Sequence, residues 1–200
     1  EDEVYLSILT VTKEPLFFSP DGHTLRIFID TDESSETGYF IPGMGADYVV
    51  EVFGQKSPAS TNVTIMSSVL YSFDDERDNN DWNSFFPISN VETAAKSKYT
   101  ECRIPLFDIS STQSSPKRIA WQTSDGQANT DISEIILGVN PDDIAIKDAI
   151  NALQRSPELP STTSNLVIDG YFEDWNFVEK YLDSDWNEYQ NSPLITENPN

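Results

Sequence analysis

Apolar and polar positions alternate along the first two-thirds of the chain, in short runs separated by Gly, Pro, Asn and Ser. A period of two is typical of strands that bury one face and expose the other. The runs that predict strands are 4–11, 25–30, 46–53, 62–73, 98–107, 118–124 and 131–137. Many short strands at this spacing predict an all-β antiparallel sandwich, jelly-roll or immunoglobulin-like, over residues 1–140.

The pattern changes after residue 140. Asn140 suits a helix N-cap, Pro141 suits the first turn, and later apolar positions recur at helical spacing. These signals predict one short helix near 141–155, followed by a Pro/Ser/Thr linker, so that helix and linker together occupy 141–164. Residues 165–200 are acidic and aromatic, and are too few to bury a core alone. We therefore expect this extension to pack on the first domain, on another chain or on a further partner.

The charge of the chain limits its partners. It has 34 acidic and 12 basic residues, a net charge of −22, and 38% hydrophobic residues. Nucleic acid is excluded as an expected partner, because contacts with phosphates need Lys and Arg. Cations are the expected partners, and adaptation to high salt is the other explanation of the acidity. No apolar run is long enough to cross a membrane, so no membrane insertion is expected.

The residues that usually carry catalysis are scarce. Cys102 and His23 are the only residues of their types, which excludes an intrachain disulfide and disfavours zinc and haem. Cys102 shares a strand face with Ile104 and is predicted to be a buried apolar residue. The sequence shows no nucleophile elbow, phosphate loop or plausible triad, so we expect a protein that is not an enzyme.

An acidic loop directly follows the predicted strand at 25–30. Residues 28–39 read FIDTDESSETGY, and the glycines between 38 and 45 would let the chain turn back toward this loop. Ca²⁺ binds about six to eight oxygen ligands. An EF-hand is excluded, because its glycine at the sixth position and its glutamate at the twelfth are missing. We expect a structural Ca²⁺ whose ligands are Asp30, Asp32, Ser34, Glu36, Thr37 and Asp47; the alternative is a solvated acidic hairpin. A second acidic run, 74–83, is predicted to be a solvated loop.

Three segments together resemble one protein family. IFIDTDESSETGY with GADYVVEV (27–39 and 45–52), YTECRIPLFDI (99–109) and VIDGYFEDWN (167–176) are similar to signatures of the carbohydrate-binding module family 9-like and DOMON-like β-sandwiches. The resemblance implies a β-sandwich of secreted and cell-surface proteins. In that family the third segment opens the fold, whereas here it comes last. We therefore expect a strand at 165–169, with Leu166, Val167 and Ile168, to complete a sandwich in the same chain or in a neighbouring copy.

Two functions are consistent with these features. The first is a non-catalytic, calcium-stabilised extracellular structural module of a cell-surface, S-layer-like or filamentous assembly. Its partners would be copies of itself or neighbouring repeats of a larger surface protein. The alternative is a carbohydrate-binding module, as the resemblance implies, with Trp82 and Trp121 as candidate platforms for a polysaccharide. Asn62 lies in an Asn-Val-Thr sequence and is a candidate glycosylation site.

Overall fold

A computed structural model describes residues 5–56, 63–112, 115, 117–127, 129–133, 135–138 and 166–177. Its strands are β1 (Tyr5–Val11), β2 (His23–Asp30), β3 (Tyr39–Ile41), β4 (Met44–Ala46), β5 (Tyr48–Lys56), β6 (Val63–Phe73), β7 (Phe85–Asn90), β8 (Glu92–Lys96), β9 (Tyr99–Pro105), β10 (Lys117–Asp125), β11 (Thr130–Ile132) and β12 (Ile136–Gly138). Short 3₁₀ turns lie at Trp82–Ser84 and Glu173–Phe177. The strand pairs are antiparallel, so the predicted all-β antiparallel fold is confirmed.

Two sheets enclose the main core. The small sheet has the order β1-β9-β8, and the large sheet has the order β11-β10-β2-β5-β6-β7. β12 pairs with the same edge of β10 as β11 does, at the other end of that strand. Between the sheets, Ile8, Cys102 and Ile104 of the small sheet join a buried cluster with residues of the large sheet that include Ile27 and Val50. The burial predicted for Cys102 is confirmed, and burial raises the pKa of its thiol to about 12.

A hairpin of β3 and β4 covers part of the outer face of the large sheet. Ile41 and Met44 from this hairpin form a second buried cluster with Phe28, Val49 and Ala120 of the sheet. The hairpin fixes the chain that leads from the acidic loop back to β5. Its strands are only three residues long, and alternation over so few positions did not predict them.

The terminal segment, defined here as residues 166–177, lies on the outer face of the small sheet. Ile168 and Trp175 are buried there. The sequence predicted a strand at 165–169, but Leu166, Val167 and Ile168 belong to no strand. The physical reason is that the backbone N–H groups of Asp169 and Gly170 donate to the carboxylate of Glu101, on the face of β9, and not to the backbone of an edge strand. Docking on a face replaces strand addition in this chain.

Several predictions fall on residues outside the described part of the chain. They are the helix near 141–155, the linker that follows it, the Asn62 glycosylation site, and the extension beyond residue 177. In the part of the chain that the structure describes, no helix is long and apolar enough to cross a membrane.

Candidate metal centre

The site begins where β2 ends, at a pair of opposite charges. Asp30 and Arg118 lie directly opposite each other in the ladder of β2 and β10. Asp30 is fully buried, and Nη2 of Arg118 lies 2.5 Å from its Oδ2 in an ion pair. Nη1 of Arg118 also donates to the carbonyl of Gly43, 2.9 Å away, in the turn of the β3–β4 hairpin. Arg118 therefore ties the end of the sheet to the hairpin that covers it.

The acidic loop is organised around the carboxylates of Asp30 and Asp32. Oδ1 of Asp30 accepts hydrogen bonds from the backbone N–H groups of Asp32 (3.2 Å) and Glu33 (2.7 Å). Glu33 has a φ of 60°, in the left-handed region that costs a residue with a side chain some free energy. Asp32 accepts from the backbone N–H of Ser34 and from the hydroxyl of Thr37. The loop thus folds around its own acidic side chains.

The hairpin then returns the chain so that Asp47 reaches the loop. Gly38 has a φ of 73°, and a Cβ on Gly45 would stand only 1.7 Å from the carbonyl oxygen of Thr37. Glycine is therefore required for this close return. Oδ2 of Asp47 accepts from the backbone N–H and the hydroxyl of Thr31, at 2.7 and 2.8 Å.

Asp30, Asp32 and Asp47 form a cluster, named here the acidic triad. One carboxylate oxygen from each lies within 4.8 Å of the others, and this arrangement could hold a metal ion. Arg118 forms an ion pair with Asp30, and Asp32 and Asp47 form none among the described residues, which leaves negative charge in excess. Burial raises the pKa of Asp30 despite its backbone hydrogen bonds and Arg118. Burial also raises the pKa of Asp47, and the nearby charges of Asp32 and Asp30 raise it further.

The other predicted ligands are used differently. The hydroxyl of Ser34 accepts from the backbone N–H of Glu36, and the hydroxyl of Thr37 donates to Asp32. Glu36 is exposed and lies outside the acidic triad. The structure therefore brings together the carboxylates of three of the six predicted ligand residues, and the hydroxyls of Ser34 and Thr37 form hydrogen bonds within the same loop. Sequence spacing could not show this arrangement, because it does not give the distances between side chains of separate chain segments.

The second acidic run supports the same hairpin. Oδ1 of Asp75 accepts from the backbone N–H of Gly38, and the carbonyl of Asn79 accepts from Phe40. Asp78 and Asp81 accept from backbone N–H groups two residues further along. Most of these side chains remain exposed, as expected for a solvated loop, but the run also holds the start of β3 in place.

A small pocket on the outer face of the large sheet was not predicted as a unit. It has a volume of about 210 Å³ and is lined by Glu51, Tyr71, Trp82, Asn83 and Phe85. Arg26, Glu51 and Gln122 are neighbours across three strands, and Arg26 pairs with both of the others. The guanidinium of Arg26 lies 4.6 Å from the ring centre of Trp82. Arg26, Glu51 and Gln122 are polar positions that alternate with apolar ones along their strands. This alternation is the feature of the sequence that could have indicated a polar site on the outer face of the sheet.

The two candidate platforms have different surroundings. Trp82 is half-buried at the pocket, within an aromatic cluster that includes Phe28 and Tyr39. Trp121 packs against the main core, and its indole N–H donates to the hydroxyl of Thr10 at 3.0 Å. Trp121 therefore acts in packing, whereas Trp82 lines the pocket described above.

No protein-family model matches the chain, and no curated protein or solved structure shows significant similarity to it.

Proposed function

We propose that this chain is a non-catalytic structural module of an extracellular surface assembly, stabilised by one Ca²⁺ bound at the acidic triad. The observation that supports this most is the convergence of Asp30, Asp32 and Asp47 from two separate chain segments. The resemblance of the sequence to β-sandwiches of secreted and cell-surface proteins agrees with this role. A cation would join the end of β2, the acidic loop and the start of β5, so its effect would be mechanical.

The ligand chemistry favours Ca²⁺ over other common ions. The triad offers oxygen atoms, which hard cations prefer, and it lacks the His and Cys ligands typical of zinc. Ca²⁺ accepts irregular sets of oxygens and completes its shell with water, whereas Mg²⁺ demands near-octahedral geometry. An irregular loop with three carboxylates therefore suits Ca²⁺ best. The ion would also neutralise the negative charge that Arg118 leaves unbalanced.

The first test is the melting temperature of the unmodified chain in Ca²⁺, in Mg²⁺ and with a chelator. A ligand that binds only the folded state at a hundredfold excess over Kd stabilises it by about 2.7 kcal/mol. For a chain of this size, we expect Ca²⁺ to raise Tm by roughly 5–10 °C, and Mg²⁺ to raise it less. The same Tm in all three solutions would contradict the proposal that Ca²⁺ stabilises the folded chain.

The calcium effect should depend on pH, because the pKa values of Asp30 and Asp47 are raised. Without metal, a raised pKa means that the folded state holds these protons more tightly than the unfolded state does. The two groups then contribute stability below their unfolded pKa values, and this contribution is lost as pH rises through the folded values. Ca²⁺ binds the deprotonated carboxylates, so its stabilising effect is largest above the raised pKa values.

We therefore expect the difference in Tm between calcium and chelator to shrink as pH is lowered from neutral into the acidic range. Calorimetry at a series of pH values, with calcium in fixed excess, measures this difference directly. A difference that stays constant through the titration range of the carboxylates would mean that Asp30 and Asp47 do not bind the ion.

A second candidate function, carbohydrate binding, is favoured by the pocket beside Trp82. Carbohydrate sites combine an aromatic ring with polar groups that bind hydroxyls, and this pocket places Trp82 beside Glu51 and Asn83. Arg26 covers one part of the Trp82 ring, so a sugar would bind at the ring's edge or would displace the guanidinium. The pocket is small, which suits one sugar residue at a chain end.

Titration of a panel of polysaccharides, followed by tryptophan fluorescence, tests this second function. If a glycan binds, we expect Trp82→Ala to weaken it at least about tenfold, equivalent to about 1.4 kcal/mol. Tyr171→Ala is the matched control, because Tyr171 is an exposed aromatic residue of the terminal segment, next to Lys96 of the small sheet. Binding that is equally weakened by both variants, or absent across the panel, would reject the pocket as a carbohydrate site.

A further inference from the structure

The terminal segment is held by one buried glutamate. Glu101 lies on β9, faces away from the main core and is fully buried. Its Oε1 accepts from the backbone N–H groups of Asp169 (2.9 Å) and Gly170 (2.7 Å), and its Oε2 accepts from the indole N–H of Trp175 (2.7 Å). One carboxylate therefore binds three donors of the described terminal segment. We name this position on the small sheet the Glu101 slot.

Contacts around the glutamate make the slot selective for its occupant. Phe172 stacks on Tyr99 with ring centres 5.0 Å apart, and Arg103 donates to the carbonyl of Leu166. Gly170 has a φ of 80°, so a residue with a side chain would be strained there. The slot thus fits a peptide that carries Ile-Asp-Gly and, five residues after the glycine, a Trp within a 3₁₀ turn.

The sheet and its occupant are separable parts of the fold. The ladders that join β1, β9 and β8 are complete without the terminal segment. The segment adds a buried Ile168 and Trp175, but it adds no strand. If it left, Ile168 and Trp175 would lose their burial against the sheet, and Glu101 would exchange three hydrogen bonds for hydrogen bonds to water. A docked segment is therefore favoured over an empty slot, and the same contacts can be made by a segment from another chain.

We propose that the Glu101 slot also accepts the terminal segment of a second copy, so that copies are joined by exchange of residues 166–177. Residues 139–165 connect β12 to the segment, and 27 residues can span up to roughly 90 Å when extended. The contacts are the same within one chain and between two. The balance then depends on the local concentration of neighbouring copies relative to the effective concentration of the intrachain segment, which is of millimolar order for linked modules. This inference rests on the proposed function, because a surface assembly provides that high local density.

A mixture of two complementary variants tests the exchange with the intrachain competition weakened. Glu101→Lys removes the acceptor in the slot but leaves the terminal segment unchanged. Trp175→Ala weakens the binding of the terminal segment but leaves the slot unchanged. Sedimentation velocity at micromolar concentration should show each variant alone as a monomer and the mixture as a 1:1 complex. Glu173→Gln, a change at an exposed position of the same segment, should give no complex with either variant beyond that given by the unmodified chain.

A mixture that stays monomeric, with both variants folded by circular dichroism, overturns the proposal. If either variant fails to fold, the unmodified chain decides: its dimer fraction should rise steeply between micromolar and near-millimolar concentration, and a monomer throughout overturns the exchange. Both experiments are run with calcium and with a chelator. The slot and the acidic triad lie on different sheets, so the two proposals can fail separately. If the complex formed but calcium had no effect on Tm, the calcium site would be rejected and the exchange of segments would stand.

Discussion

Replacing Glu101 with alanine will lower the free energy of unfolding by about 3 kcal/mol. The substitution removes the acceptor for the N–H groups of Asp169, Gly170 and Trp175. A buried donor without an acceptor costs about 1–3 kcal/mol, and the segment can recover part of this loss by moving into water. The measurement is urea unfolding followed by tryptophan fluorescence, which also reports on the environment of Trp175.

Glu92→Ala is the matched control for this prediction. Glu92 lies on the neighbouring strand, is exposed and pairs with Arg103, so its removal should cost less than about 1 kcal/mol. Equal losses in the two variants would mean that Glu101 contributes no more than a surface charge. A larger loss for Glu101→Ala, with an altered fluorescence of Trp175, is the expected result.

Replacing Asp32 with asparagine will remove most of the stabilisation by calcium. Asp32 belongs to the acidic triad and is its exposed member, so the change removes a charged ligand without opening the core. At a hundredfold excess over Kd, the unmodified chain should gain about 2.7 kcal/mol from calcium, and the variant should gain little. Thermal unfolding with calcium and with a chelator measures the gain for each protein.

Glu36→Gln provides the control, because it removes the same charge from the same loop. Glu36 lies outside the triad, so this variant should keep the calcium gain. If the two variants lost the gain equally, the ion would respond to the overall charge of the loop. If only Glu36→Gln lost it, the ligand set would be the wrong one.

The main strands could be predicted from the sequence because each buries one face. The predicted strand at 25–30 corresponds to β2, whose Leu25, Ile27 and Ile29 all face the main core. The strand at 98–107 likewise corresponds to β9, with Cys102 and Ile104 facing inward. A period of two therefore reports accurately on strands that cover a large core.

The strands that were missed lack this signal. β7 contains Pro87 and lies at an edge of the large sheet, where a missing N–H is tolerated. β8 is short, and its alternate positions are mostly half-buried. The predicted strand at 131–137 is divided into β11 and β12, and between them Ser133 bonds to the backbone of Trp121. Such features depend on neighbouring strands, which local sequence does not show.

The acidic triad could be predicted only in part for a similar reason. Residue types and spacing indicated Asp30, Asp32 and Asp47, because residues with side-chain oxygens are concentrated after the predicted strand at 25–30. They did not indicate Arg118, which reaches Asp30 only because β10 pairs with β2. The docking of Trp175 on Glu101 was also beyond prediction, since 74 positions separate the two residues.

Isothermal titration of Ca²⁺ into the unmodified chain and into Asp47→Asn, both at neutral pH and low salt, measures binding at the acidic triad itself. Asn keeps an oxygen that can accept from Thr31, so the variant preserves the loop while it loses one charged ligand. We expect saturable binding to the unmodified chain and a strong loss of affinity in the variant. Absence of saturable binding to the unmodified chain, or equal affinity in both proteins, would mean that the acidic triad does not bind Ca²⁺.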